Sequence, residues 1–480
     1  MISVRVLLIL PLFFLLPLLD AASQPARPPG PALAASPALL SSTESPALVQ
    51  TASNRPALAA RGNAVAVTWA ALDLAAGTAR LYARVSNNSG KTWDPAVQVD
   101  TALEGPGWSS RAPAIVFEDE RTLDIAWFSY RAIDRYRLLF ARSVDGGRNW
   151  ATSTIDQGFG INPPRLILLP DGPALLWQRS KTSDGNFDLY FARTSDQGKT
   201  WETQVVSNYA TGPAFVRRTT QGKLLIATSG GTAKGGNFPV VLQSSDGGKT
   251  WIGPSLPSDV DDVFFSLGSA ALDGKDQLHL AWSWYLESGA VYYDHSADGK
   301  QWHDDEILYS LPKGGVFPGL FLDPVSDVLY CAWMQTGKGE RQSDLYLKRR
   351  ENGAWLPADE DKAFRIDQVF RGEQNGASLN LSLHFLRKKV IALWQDSKPG
   401  LPRILLNHSV DGGRTWSRRE TILDHVPARN PRKLYAAFPE AIDDGKDTLY
   451  VLYYLIDPKD PRQSRRVIAG DLFFRKVKIR

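Results

Sequence analysis

From about residue 55 to the C-terminus the chain alternates apolar and polar residues in short runs rich in β-branched and aromatic side chains. Ala64-Val65-Ala66-Val67-Thr68-Trp69, Leu123-Asp124-Ile125-Ala126-Trp127 and Asp188-Leu189-Tyr190-Phe191-Ala192 are examples. A two-residue period with this composition predicts strands, and turn residues separate the runs. No stretch carries the 3.6-residue period of an amphipathic helix, so the pattern predicts an all-β protein.

One phrase punctuates these strands. It reads Ser86-Asn87-Asn88-Ser89-Gly90-Lys91-Thr92-Trp93, and again Ser143 to Trp150, Thr194 to Trp201, Ser244 to Trp251 and Ser409 to Trp416. Ser296 to Trp302 is one residue short, and Arg350 to Trp355 keeps only the turn and the tryptophan. The closing tryptophans recur every 50 to 61 residues, the period of propeller blades. The chemistry is local: Asp or Asn accepts hydrogen bonds from nearby backbone N–H groups, Gly supplies a positive φ, and Trp packs back between sheets.

The phrase resembles the Asp box, Ser-x-Asp-x-Gly-x-Thr-Trp, of the sialidase-like (BNR-repeat) propellers. The resemblance implies a single β-propeller of four-stranded antiparallel blades, strands A to D, with each Asp box at a C–D turn. Strand A often follows a proline (Pro56, Pro113, Pro213, Pro318, Pro439) and strand B ends in an aromatic (Trp69, Trp127, Trp177, Trp282, Trp333, Trp394, Tyr453). Eight A–B pairs against seven boxes give eight blades, with seven as the alternative. The last unit ends after Asp471-Leu472-Phe473-Phe474 without a D strand. Pro46 to Thr51 resembles the D strand Pro95 to Asp100, so an N-terminal strand is expected to close the ring.

The ends set the compartment. A basic start, the apolar run Val6 to Leu19 and the small residues Ala21-Ala22-Ser23 read as a signal peptide over residues 1–23. The run is too short to span a bilayer and is broken by Pro11 and Pro17. Residues 24–45, rich in Pro, Ala and Ser, read as a linker, leaving 46–480 for the propeller. A secreted or periplasmic protein with no membrane contact after cleavage is the expectation. The single cysteine, Cys331, allows no internal disulfide, and its apolar surroundings predict a buried thiol. A net charge of +4, dispersed along 480 residues, argues against nucleic acid as a partner.

In a propeller the D–A and B–C loops share one face, and ligand chemistry is expected there. Of 15 tryptophans, only Trp108 (D–A loop) and Trp284 (B–C loop) belong neither to a box nor to a strand B end. Both suit stacking on a sugar ring or packing at the top of the core. Blade 2 carries Arg111-Ala112-Pro113, then Arg131, Asp134, Arg135 and Arg137. The first triplet resembles the Arg-Ile-Pro motif of sialidases. That resemblance implies Arg111 gripping a substrate carboxylate and Asp134 as general acid, and Arg131, at the end of the same blade's strand B, is a further substrate-binding candidate. The family's tyrosine nucleophile, however, is matched by Phe438 in Ala437-Phe438-Pro439, and phenylalanine cannot form a covalent adduct. Arg179, Arg341 and Arg371 are candidates for further carboxylate contacts, Glu287 and Glu373 for a second carboxylate, and Tyr435 and Tyr454 lie near Phe438. Asp259, Asp261 and Asp262 form an acidic loop that reads as solvated rather than calcium-binding, and no spacing suggests a metal site or cofactor. Two functions remain open: a sialidase-like glycoside hydrolase acting on acidic sugars, or a non-catalytic secreted propeller that binds a glycan, peptide or protein on that face.

Overall fold

The computed structural model describes residues 37–41, 48–49, 55–73, 78–100, 109–132, 135–180, 187–210, 212, 214–231, 237–258, 265–284, 290–310, 318–336, 343–367, 378–398, 401–424, 434–460 and 468–479. The expected signal peptide lies outside the described residues, as do Asp134 and Trp108. Among the described residues every regular element is a strand, so the chain is all-β.

The strands pair antiparallel in chain order. Ala57–Arg61, Ala64–Asp73, Thr78–Ser86 and Val97–Gln98 make the first four-stranded unit. Units two to four are joined into one sheet by the bridges Phe159–Ser180 and Ala210–Gly230. The fifth begins at Phe265–Leu272, the sixth at Gly319–Leu322, the seventh at Ser378–Leu386 and the eighth at Tyr435–Asp443. The eighth unit contributes only three strands of its own. Its outer edge, Ile468–Lys478, is paired by two N-terminal pieces: Leu48 faces Ala469, and Ala38 faces Phe474. Ala38–Leu39 falls in the stretch read as linker. Leu40 beside it is fully buried, and the Ser41 hydroxyl accepts the Leu472 N–H at 3.0 Å.

The second strand of each unit is sandwiched between neighbouring units and is therefore apolar on both faces. Leu449–Ile456 is buried at every position. Trp69, Trp127, Trp177, Trp282, Trp333, Trp394 and Tyr453 occupy equivalent places in seven units, each essentially inaccessible. Cys331 lies in such a strand, fully buried, and burial pushes its thiol well above the usual range.

The boxes form as their chemistry requires. In the third unit the Thr194 hydroxyl accepts the Gly198 N–H at 3.0 Å, and Asp196 accepts the Thr200 N–H at 2.8 Å and the Thr200 hydroxyl at 2.6 Å. Trp201 returns its indole N–H to the Gly198 carbonyl at 3.1 Å. Gly198 has φ +84° and lies against the Phe140 ring of the preceding unit, so a side chain there meets both backbone strain and a clash. The same contact to the preceding unit recurs at Gly147 (Val85) and Gly248 (Phe191). At Gly90 the neighbour is Phe474 of the last unit, against whose ring Trp93 also packs edge-on at 4.9 Å. The innermost strands follow the same order: each first strand packs on the next, and Tyr435–Asp443 packs on Ala57–Arg61.

Candidate functional site

Residues from the second and third units meet in an aromatic cluster that includes Phe128, Tyr130, Tyr136, Trp177 and Tyr190. Two of the arginines singled out in the sequence lie on it. Arg111, in the strand Ser109–Phe117, is buried; its guanidinium lies 4.6 Å from the Tyr130 ring centroid and donates to the Tyr130 hydroxyl. Its Nε is buried with no partner. Arg179, near the end of Gly172–Ser180, stacks 4.4 Å from the Tyr190 centroid and donates to the Tyr190 hydroxyl at 2.5 Å. Its other terminal nitrogen donates to Asp156 at 2.5 Å, and the second Asp156 oxygen accepts the Trp177 indole N–H at 2.9 Å.

The long strand Ala151–Ile161 builds the adjoining surface. A register shift between Thr154 and Asp156 turns Asp156 toward Arg179. Arg137, Thr154, Ile155, Asp156 and Gln157 line an open depression of about 620 Å³. The combination is aromatic faces, fixed guanidiniums, one carboxylate and open space.

The remaining sequence candidates are placed as follows. Arg131 is exposed near the end of Leu123–Ala132, the strand that carries Tyr130. Trp284 closes Leu278–Trp284 opposite Phe265 in the fifth unit, three units from Arg111. Asp134, Trp108, Arg341, Arg371, Glu287, Glu373, Asp259, Asp261 and Asp262 lie outside the described residues. Phe438 is buried in the core with φ 54°, its backbone N–H donating to Gln395 Oε1 at 3.0 Å. Tyr454 is fully buried with its hydroxyl unpartnered; burial, and then the charge of Glu440, push its phenol well above the usual range. A phenol so placed is a poor nucleophile at neutral pH.

Two clusters carry no local sequence signal. One lies where the first strands of several units face one another. Arg55 makes an ion pair with Glu440 at 3.4 Å and donates to Asn380; Arg165 and Arg217 flank the Phe215 ring at 5.8 and 5.9 Å. These groups come from five units, so only the packing of the units on one another brings them together. The other is a histidine ladder in the fifth unit. His295 stacks on His303 at 4.0 Å with 7° between planes, and His279 stacks on His295 at 5.8 Å. Ligand atoms of Asp294, His295 and His303 lie within 4.8 Å of one another. Rings this parallel send their in-plane lone pairs side by side rather than to one point, and Arg350 approaches His295 Nε2 at 3.4 Å. The geometry is that of a packed stack, not of a metal centre.

The fold and its boxes define an all-β protein of repeated four-stranded Asp-box units. Residues 31–252 match the BNR repeat-like domain, so this part of the chain is similar to BNR-repeat proteins. No curated protein matches the sequence. Among solved structures, the chain is similar to a protein of unknown function from Dyadobacter fermentans (14% identity, 93% of this chain and 98% of that one, TM-score 0.42). It is also similar to an ulvan lyase of polysaccharide lyase family PL25 (11% identity, 93% and 95%, TM-score 0.49). A sialidase from Trypanosoma rangeli in complex with sialic acid gives 9% identity over 92% and 91% of the two chains, with a TM-score of 0.35.

Proposed function

We propose that this chain is a secreted or periplasmic carbohydrate-binding propeller that recognises an acidic sugar at the cleft between its second and third units. The single observation that carries this reading is the pair Arg111 and Arg179, each seated on a tyrosine of one aromatic cluster. Aromatic faces suit the apolar faces of sugar rings, and a guanidinium held in place suits a carboxylate. Arg131 on the neighbouring strand end and Arg137 in the depression extend the positive rim.

Eight blades closed by the N-terminal strands belong to the same proposal. It is supported by the cyclic packing of the first strands and by Gly90 and Trp93 lying against Phe474. The N-terminal apolar run supports export through a signal peptide over residues 1–23.

Binding rather than hydrolysis is favoured by two observations. Phe438 stands in the core where a nucleophilic hydroxyl is needed, and Tyr454 is sealed. The hydrolase reading keeps Asp134 as its general acid and is tested in parallel. The mature protein is titrated with sialyl- and uronate-containing oligosaccharides and their neutral counterparts, and is assayed on a fluorogenic sialoside. Binding of acidic but not neutral glycans, weakened at least about tenfold by Arg179→Ala, is expected. Equal binding of neutral glycans, or none at all, removes the acidic-sugar reading. Turnover lost in Asp134→Asn establishes the hydrolase instead.

A further inference from the structure

We infer that Ser382, His384 and Asp443 form a nucleophilic relay that hydrolyses esters of short apolar acids, where the first strands of the sixth, seventh and eighth units pack together. This activity lies outside the acidic-sugar reading and uses none of its residues. Ser382 and His384 are two apart in Ser378–Leu386, so the period of the strand sets them on one face. The Ser382 hydroxyl donates to His384 Nε2 at 3.2 Å, and His384 Nδ1–H donates to Asp443 Oδ2 at 3.0 Å. Asp443 ends the first strand of the eighth unit, and its other oxygen accepts the Gly445 N–H at 3.0 Å. Arg387 is taken by Asp447 at 2.7 Å, and among the described residues no lysine or arginine pairs with Asp443. Directly before the hydroxyl, Asn380 has φ 55° and the register shifts between Leu379 and Ser382, an irregularity of the kind that re-aims a side chain.

A carboxylate only accepts, so Asp443 keeps the imidazole proton on Nδ1 and leaves the Nε2 lone pair to the serine. His384 is buried, which holds the ring in place, while Ser382 is half-buried. Hydroxyl, imidazole and carboxylate in that order activate a serine whatever the scaffold. In the first step Ser382 Oγ bonds to the ester carbonyl carbon as its proton passes to His384 Nε2. The bond from that carbon to the alcohol oxygen breaks, and the alcohol leaves with the proton. Water then bonds to the acyl carbon and gives a proton to Nε2; the bond to Oγ breaks, Oγ recovers the proton and the free acid departs. Phe321 and Leu322, Leu383 and Phe385, and Asp443 and Gly445 are in the wall of a cavity of about 270 Å³, and Asp443 is its one charged wall residue. Such a volume lies below the roughly 300–1,000 Å³ of pockets for drug-sized ligands, and apolar walls suit a short acyl chain.

The test has two arms on the mature protein: turnover of p-nitrophenyl butyrate, and labelling by a fluorophosphonate followed by peptide mass spectrometry. Saturable turnover is expected, together with a phosphonyl adduct on Ser382. Ser382→Ala, which removes a single oxygen, is expected to lower kcat at least about hundredfold. Asp443 acts as a positioning residue: Asp443→Asn lowers kcat at least about tenfold with KM within about twofold, and Asp443→Glu restores part of the loss. A merely structural role for Asp443 does not produce that split. Arg179→Ala, which disables the carbohydrate cleft, leaves ester turnover unchanged, so the two readings fail separately. Absence of turnover, turnover that survives Ser382→Ala, or a wild-type protein left unlabelled at Ser382 overturns the inference; the labelling arm does so without recourse to any variant.

Discussion

Lys398 shows how much one buried charge depends on its neighbours. It is 1% exposed and lies 2.6 Å from Asp344, in contact also with Asp367, while Arg365 bonds both carboxylates. Burial pushes the Asp367 carboxyl up, and Lys398 draws it back. Lys398→Met leaves two inward-facing carboxylates with one cation, at an expected cost of about 3–5 kcal/mol, read from the shift of a urea unfolding midpoint. His295 makes the opposite point. Burial and the adjacent Arg350 press its pKa down to about 4, so the folded protein holds it neutral where the unfolded chain, near 6.5, takes up a proton. Stability from this residue is therefore complete above about pH 6.5 and declines as the pH falls toward 4. His295→Gln is expected to flatten that part of the thermal stability profile between pH 7 and 4. An unchanged acid slope in the variant counts against the assignment.

At the scale of the element, the Asp box is the best-specified structure in the chain. Hydrogen bonds from the Thr200 hydroxyl and backbone hold the Asp196 carboxyl down at about 2, and the equivalent bonds from Thr250 hold Asp246 lower still. Asp196→Ala removes the acceptor for a turn that begins at a buried hydroxyl. The expected loss is seen as a fall in melting temperature. Since these carboxylates titrate lower when folded, their contribution is complete above the unfolded value near 4 and disappears as the pH falls through about 2. The boxes were readable from sequence because every partner lies within six residues. The same holds for the alternating strands and for the tryptophans at their centres. Arg179 was readable only as one arginine among several on loops, since its meaning comes from Asp156, 23 positions away, and from the register shift that turns Asp156 inward. Arg55, Arg165 and Arg217 carried no signal at all: nothing in Arg55-Pro56 or in Phe215 to Arg218 announces a neighbour in another unit. The pattern specifies sheets; what faces what between them is decided by how the sheets pack on one another.

For the whole molecule, the first and last strands matter together. Ala38–Leu39 and Leu48–Val49 cover the edge of Ile468–Lys478, and Leu40 sits in the same core cluster as Trp69, Tyr454 and Phe474. A chain beginning at residue 52 loses both strands and Leu40, and exposes an apolar sheet edge. It is expected to melt at least several degrees lower and to associate on concentration, measured by calorimetry and light scattering. A truncated chain that melts with the full-length one removes the closing role of these strands.

The bond between Ser41 and Leu472 joins residues 431 positions apart. It cannot form until Leu472 has been made, long after Ser41. Ala38–Leu39 and Leu48–Val49 therefore have no partner until Ile468–Lys478 has been made. A chain stopped short of Ile468 leaves both N-terminal strands unpaired and open to pairing with a neighbouring chain.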